Sequence, residues 1–591
     1  MADEISAFKP KTIWEQFRPL RPYLGRYRRP ILVGTLMLVL TNATWMLFPR
    51  VVGAAIDSLQ TSVTHQQLLT YALLLLGIAL ATGFFRFWMR WILIGVSRDI
   101  EYDLRNDLFR HLAHQSAHFY TSQRTGDLMT RATSDLSYVR MALGPGIMYS
   151  ANSLAAFPLA IAWMVYLDWR LTLLMLLPVP VVSLAVKFFG QHIHKYSEYI
   201  QAKFSDLTAR VQENLAGVRL LRAYCQEEAE SRAFDRLNRD YVAQNEKLIR
   251  LQGMFWPSLE VLLGLAFLLV LWLGGRAVIT ERISVGTFVA FSQYMLLLIW
   301  PMIALGWVVN LFERGAASMG RINQLLTTTP DITDRPHPNA PAQIQGTIEF
   351  RNLSFSYNGR PALRNICLRV EAGQTVAIVG PTGAGKSTLV SLLARLYDPP
   401  PGSVLLDGLP VEEHRLRVLR EAIGFVPQET FLFSDTLREN IAFGLPAADE
   451  KAIVDAATVA GLADDVRDFS QGFDTLVGER GLTLSGGQKQ RTAIARALLH
   501  RPRILILDDA LSSVDTYTEE KILRRLAEVT RGRTTILISH RVSTVQHAAL
   551  IVVLKEGKIV EQGTHAQLLA RGGYYYDLYQ KQLLEEELEQ A

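Results

Sequence analysis

The chain divides into two fold classes: a membrane-embedded all-α half of six helices, then a soluble α/β half organised around a P-loop. Three observations predict this. Six mostly apolar stretches, each near the ~20 residues that cross a bilayer as a helix, lie between residues 31 and 310. Beyond them, apolar runs of strand character alternate with helix-like segments. Among these, residues 380–388 read GPTGAGKST between an apolar strand at 375–379 and a helix-like stretch at 389–396. At 591 residues the chain is too long for one domain, and 49% hydrophobic content is high for a soluble enzyme. The mean hydropathy of +0.14 therefore averages an apolar half with a soluble one.

Taken in order, residues 1–29 are long and basic (Lys9, Lys11, Arg18, Arg21, Arg26, Arg28, Arg29) and read as an uncleaved N-terminus. Residues 13–20 suit an amphipathic helix on the inner interface, a plain tail being the alternative. The spans are 31–49, 68–91, 142–167, 171–190, 254–274 and 286–310, with buried helices of a soluble bundle as the competing reading. The 57–67 loop holds no Lys or Arg, whereas 98–140 and 187–250 are rich in them. Positive loops face the cytoplasm, so both termini and the second half are predicted cytoplasmic. Pro301 is expected to kink the last span. Arg86 and Arg90, one turn apart, are read as snorkelling to the inner surface. Glu260, inside the fifth span, either selects cationic substrates or makes a buried hydrogen bond. Of Trp45, Phe84, Phe85, Phe87, Trp88, Trp91, Tyr294, Trp300 and Trp307, some suit a cavity for hydrophobic compounds and most suit packing or interfacial belts.

The two cysteines, Cys225 and Cys367, form no C-x-x-C, so neither a disulfide framework nor a cysteine metal site is supported. The net charge of +5 comes from basic residues beside the spans, which argues against a nucleic-acid partner.

The 380–388 segment fits G-x-x-x-x-G-K-[ST]. Gly380, Gly383 and Gly385, with Thr382 and Ala384, let backbone N–H groups converge on phosphate oxygens. Lys386 reaches the β- and γ-phosphates, Ser387 suits Mg²⁺, and Thr388 continues into the helix. ATP with Mg²⁺ is the expected ligand. Downstream come Ser485-Gly486-Gly487-Gln488 after Leu484, an apolar strand 504–507 ending in Asp508-Asp509, and His540 closing a strand at 535–539.

That ordered set resembles the nucleotide-binding domain of ATP-binding cassette (ABC) transporters, from about Gly346 onward. The resemblance implies that Tyr357 stacks on adenine and that Gln428 reaches Mg²⁺ or the attacking water. It implies that Asp508 holds Mg²⁺ and His540 contacts the γ-phosphate. Packing, surface or core roles are the alternatives for each. Ser485 to Gln488 would face a γ-phosphate bound on an opposite subunit, Asp515 would communicate between the two composite sites, and residues 475–481 resemble an exporter-specific segment. Residues 119–128, with Gly126 breaking the helix, and 213–224 resemble coupling helices. Spans ahead of a cassette on one chain point to an exporter half: a transmembrane domain over 1–320, a linker over 321–345, rich in Thr, Pro and Asp, and a nucleotide-binding domain over 346–591.

One residue departs from the family pattern. Glu is usual after the strand-terminal Asp, and here it is Asp509. The intrinsic acidities are close, but one methylene fewer withdraws the carboxylate by ~1.5 Å, and a misplacement of ~1 Å can cost about 100-fold in rate. The resemblance then implies a heterodimer in which this chain's site hydrolyses slowly and a partner with Glu is competent. It implies ATP-driven export of amphipathic compounds across the cell membrane. A homodimeric exporter of lipid or peptide, or an ATP-gated regulator, remains open at this point.

Overall fold

The computed structural model describes residues 12–60, 64–177, 179–334, 341, 343–445, 447–478, 481 and 483–590. The chain forms two compact units, one of residues 1–110 with 126–327, the other of 111–125 with 328–591.

Among the described residues of the first unit every regular element is a helix. Arg28–Gln60, His65–Ala113, Thr125–Leu167, Trp169–Ala216 and Glu227–Ile279 are each long and apolar enough to cross a membrane. The sixth predicted span opens with apolar Val285–Ile299 and belongs to one helix, Val285–Thr327, unbroken through Pro301. That helix carries regular structure through the first seven residues of the expected linker; 335–340 lie outside the described residues.

Small residues set the closest helix approaches. A Cβ at Gly286 would stand 1.9 Å from the Gly53 carbonyl oxygen, so the Leu47–Gln60 and Val285–Thr327 helices cross backbone to backbone. Asp57 secures this crossing by accepting from Gly286 N (2.6 Å) and Ser284 Oγ (2.6 Å). Tyr294, fully buried, donates to the Met46 carbonyl at 2.6 Å. It is packing, not cavity lining. Within Thr125–Leu167 two π-helical turns occur, Arg131–Asp135 and Ala142–Gly146, and the second carries Pro145. A π turn accommodates a proline that lacks an N–H and crowds the preceding turn.

Two expectations need correction here. Gly126 does not break the helix; it lies in the first turn of Thr125–Thr130, and the break falls at Gln123, which is extended. Gly217 does separate two helices, Val179–Ala216 and Val218–Ala223. Glu260 is exposed on its helix, so the buried hydrogen bond is not formed. Trp14 is 81% exposed whereas Leu20 is fully buried, so the 13–20 segment is two-faced.

The second unit contains two sheets. Strands β1 (Ile348–Tyr357), β2 (Arg360–Val370), β4 (Val404–Leu406) and β5 (Leu409–Pro410) form an antiparallel sheet ordered β2-β1-β4-β5. Strands β3 (Thr375–Val379), β6 (Ile423–Val426), β7 (Ile504–Asp508), β8 (Thr534–Ile538), β9 (Leu550–Lys555) and β10 (Lys558–Gly563) form the other, ordered β10-β9-β3-β8-β7-β6. All its pairs are parallel except β9 with β10. Alternate residues serve two cores: Ala377, Leu505, Leu507 and Leu537 on one face, Ile378, Ile504, Ile506 and Ile538 on the other. Burial on both faces is why these strands read as unbroken apolar runs.

Inside the first unit, Asp135 (2% exposed) accepts from Ser318 Oγ (2.9 Å), Arg321 Nε (2.9 Å) and Arg321 Nη2 (2.5 Å). The Arg321 side chain is 46% exposed. Removing the arginine strands a buried carboxylate, while removing the carboxylate leaves a guanidinium that turns to water. Arg321→Ala should therefore cost ~3 kcal/mol and Asp135→Asn roughly half that. Thermal unfolding of the purified protein checks the order of the two losses.

Candidate nucleotide-binding site

Parallel register gathers the predicted residues. Ile378 on β3 and Asp508 on β7 both pair with Ile538 on β8, and Val426 on β6 pairs with Leu507. Gly380, Gln428, Asp508, Asp509 and His540 thus all leave the carboxyl edge of one sheet within two residues of each other in register. That edge, where strand order reverses, is where open α/β sheets bind ligands.

The P-loop needs its glycines for space as well as conformation. A Cβ on Gly380 would lie 2.0 Å from the Leu554 carbonyl, and one on Gly385 (φ 98°) would lie 2.7 Å from the Ala362 carbonyl. The helix that follows is Lys386–Leu393, capped by Gly385. It begins three residues earlier than the sequence suggests, so Lys386, Ser387 and Thr388 form its first turn and their N–H groups point out of the helix. Thr382 and Gly383 are exposed at the loop tip, and Ala384 is buried.

Lys386 is 7% exposed, and its Nζ donates to the Gly380 (2.8 Å) and Pro381 (3.0 Å) carbonyls. Burial lowers its pKa, opposed by the charges of Asp509 and Asp508. Asp508 is 3% exposed. Burial pushes its carboxyl up, the hydrogen bond with Ser387 pulls it down, and Asp509 beside it raises it again. Two crowded carboxylates and a hydroxyl are hard oxygen donors at the mouth of a phosphate loop, a set that fits Mg²⁺.

Asp509 takes a left-handed φ of 51°. Its N–H donates to the Ile538 carbonyl (2.9 Å), and its own carbonyl accepts from Ser512 Oγ (3.0 Å). Gln428 is exposed on the bend after β6. His540 is half-buried, and its segment is held by a residue the sequence did not mark. Gln582, on the Tyr574–Gln590 helix, donates to the His540 carbonyl (2.5 Å) and accepts from Val542 N (2.7 Å). Nothing local to Gln582 signals this, because the partners are 42 and 40 residues away.

Tyr357 stands on the antiparallel sheet, edge-on to Phe355 (5.0 Å) and Tyr397 (5.2 Å). These rings border a cavity of about 330 Å³ that Ser116, His118 and Asp331 also line. Ser116 Oγ donates to Asp331 (2.9 Å). Tyr397 completes this cluster, and its only signal in the sequence is an aromatic just past the P-loop helix.

Ser485 to Gln488 form a second group. Ser485 caps the Gly486–Leu499 helix by accepting from Gln488 N (3.2 Å), and Gln488 Oε1 accepts from Ser485 N (3.0 Å). This reciprocal pair satisfies two donors at a helix start. Side chains at Gly486 and Gly487 would press on Ser513, at 3.2 and 3.0 Å. Asp515 caps the next helix, Thr516–Val529, accepting from Thr518 N (2.9 Å), a bond that holds its carboxyl below the usual range. Of the expected exporter-specific segment, Glu479 and Arg480 lie outside the described residues.

Spatial need separates two loop glycines. Gly385→Ala should destabilise the protein by about 2–4 kcal/mol, combining backbone clash with an unfavourable φ. Gly383→Ala (φ 81°), with nothing within 4 Å of its Cβ, should cost ~1–2 kcal/mol. Unfolding midpoints of the two variants measure the difference.

Comparisons with known proteins agree with this geometry. A model of the ABC transporter transmembrane region matches residues 31–302, and a model of the ABC transporter family matches 363–512. The chain is 38% identical over 558 residues (93% of this chain, 95% of the relative) to a probable multidrug resistance ABC transporter ATP-binding/permease protein, YheI, of Bacillus subtilis. It is 37% identical over 580 residues (98% and 97%) to the multidrug resistance-like ATP-binding protein MdlA of Escherichia coli. An ATP-dependent lipid A-core flippase of Syntrophus aciditrophicus is 35% identical over 568 residues (96% and 94%). The solved structure of a bacterial Atm1-family ABC exporter with ATP bound superimposes with a TM-score of 0.76 at 31% identity, covering 94% of this chain and 98% of that one. The chain is therefore a member of the ABC transporter family, a multi-pass exporter whose transmembrane domain is fused to an ATPase that drives transport.

Proposed function

We propose that this chain exports hydrophobic or amphipathic compounds as one half of a dimer, and that its own nucleotide site is the slower of two. The observation that carries the second part is Asp509. Its backbone is held on both sides, by Ile538 and by Ser512. The chain cannot slide forward to recover the ~1.5 Å lost with the missing methylene. A water placed for a Glu carboxylate is then out of reach, and turnover falls while binding persists.

The other residues have distinct tasks in this reading. Tyr357 offers a π-face to adenine, with Tyr397 behind it. The Lys386–Leu393 helix start and the 380–385 loop bind phosphate oxygens, and Lys386 exchanges its loop carbonyls for β- and γ-oxygens. Ser387, Asp508 and Gln428 would hold Mg²⁺, which supplies charge neutralisation on the transferring phosphate. His540, steadied through Gln582, directs an imidazole nitrogen at the γ-phosphate, and Gln428 and Asp509 orient water. Ser485 to Gln488 present a helix start to nucleotide on the second subunit, and Asp515 lies beside that junction. The substrate class is supported by relatives named for multidrug resistance and lipid A-core flipping. Arg-rich loops favour cytoplasmic termini and a cytoplasmic ATPase.

The asymmetry predicts an ordered set of activities. Asp509→Ala should leave most ATPase activity of the complex intact, and Asp509→Glu should raise it. Ser485→Arg should abolish it by blocking the helix start lent to the competent site. Equal loss from Asp509→Ala and Ser485→Arg, in a preparation holding this chain only, would overturn the slow-site reading. Orientation is tested separately: a cysteine at exposed Thr64 should react with an impermeant thiol reagent in intact cells. Labelling only after lysis contradicts the topology.

A further inference from the structure

The start of the Gly486–Leu499 helix is held by an acidic residue that lies outside every nucleotide motif. Asp465 belongs to a separate helix, Ala463–Asp468. Its Oδ1 accepts from Gln488 Nε2 (3.0 Å) and from Arg491 Nη2 (3.1 Å), and its Oδ2 pairs with Arg491 Nη1 (2.7 Å). Arg491 Nη1 also donates to the Gly461 carbonyl at 2.7 Å, tying the chain ahead of the Asp465 helix to the same arginine. Gln488 and Arg491 are three residues apart on one helix face, so one carboxylate reaches both. The Arg491 and Asp465 side chains are only 15% and 21% exposed, and their forked pairing fixes angle as well as distance. All of these partners lie within 328–591 of one compact unit, so the arrangement does not depend on which surfaces a second subunit covers.

A carboxylate only accepts hydrogen bonds, whereas a glutamine amide has a donor end and an acceptor end of nearly the same shape. Asp465 therefore decides which way Gln488 points. The amide nitrogen faces the carboxylate, which turns Oε1 onto the backbone N–H of Ser485 (3.0 Å). Gln488 N donates back to Ser485 Oγ (3.2 Å), closing the reciprocal pair. With the acceptor at 465 removed, the amide is free to rotate. In the flipped orientation its NH₂ opposes the Ser485 N–H, donor against donor, and Ser485 loses the bond that fixes its backbone. The motif carries no trace of this dependence, because Asp465 stands 23 residues from Gln488 and 26 from Arg491.

We infer that Asp465 is a positioning residue for the ATPase: through Gln488 it sets the pose in which Ser485 meets the γ-phosphate bound on the second subunit. This rests on the reading of Ser485 to Gln488 as a phosphate-facing group, and not on Asp509 or on the exported compound.

Steady-state ATPase kinetics of the full-length complex, with KM and kcat separated, test it. Asp465→Asn should lower kcat about tenfold and leave KM for ATP within about twofold, because the phosphate loops bind ATP before the helix start engages. Asp465→Glu, which restores two acceptor oxygens, should recover part of the loss. In a Gln488→Met background, Asp465→Asn should cost less than about twofold more, since its effect passes through an amide already removed. A further loss of about tenfold there would mean that Asp465 acts independently of Gln488 and would overturn the proposal, as would wild-type kcat in Asp465→Asn. Should Asp465→Asn fail to fold, Asp465→Ser decides by the same split: lower kcat at unchanged KM supports the proposal, and wild-type kcat refutes it. Ser485→Arg, measured alongside, separates the two readings. If it abolishes turnover while Asp465→Asn leaves turnover intact, the positioning role alone falls. If Ser485→Arg leaves turnover intact, the phosphate-facing reading falls and takes this proposal with it.

Discussion

Because β9, β3, β8, β7 and β6 all run the same way, every loop that leaves their carboxyl ends emerges on one edge of one sheet. The proposed nucleotide site depends on that constraint. Gly380, Gln428, Asp508 and His540 are separated by as much as 160 residues of chain. Only strand register makes them neighbours. The register holds in turn because alternate side chains of each strand fill two cores, and a slip by one residue would exchange the faces. That edge is thus as rigid as the sheet beneath it.

Burial at that edge does electrostatic work. Asp508 and Lys386 are each less than a tenth exposed, and burial disfavours the charge on both. Each is held by an adjacent polar partner: Ser387 for the carboxylate, and the Gly380 and Pro381 carbonyls for the ammonium. In the proposed reading a bound triphosphate with Mg²⁺ would replace those modest partners with full charges. The site is therefore organised for charge it does not itself neutralise. Asp509 sits in the same edge with its backbone anchored, and its short side chain changes reach without changing the scaffold.

The membrane unit solves a different problem with different means. Lipid gives no hydrophobic reason for helices to associate, so close packing and polar contacts carry the load. Gly53 against Gly286, with Asp57 holding the turn above them, and Tyr294 reaching Met46 are such contacts. Asp135 with Ser318 and Arg321 plays the same part farther along the helices.

The sequence by itself determined the two fold classes, the helical transmembrane half, the phosphate loop, and the identity of Asp509. Each of these is written in short-range terms: twenty apolar residues in a row, a fixed spacing of glycines ahead of Lys386, a strand ending in two aspartates. Short-range patterns also misplace short-range details, as with Gly126, which lies inside a helix rather than at its break. The tertiary structure alone decided that 111–125 belongs with the nucleotide-binding unit and that Tyr397 joins Tyr357. It also decided that Gln582 holds His540, that Glu260 is exposed, and that Gly53 and Gly286 touch. These contacts join residues tens to hundreds of positions apart. No periodicity or motif records such a pairing, because it exists only once the helices and sheets have packed.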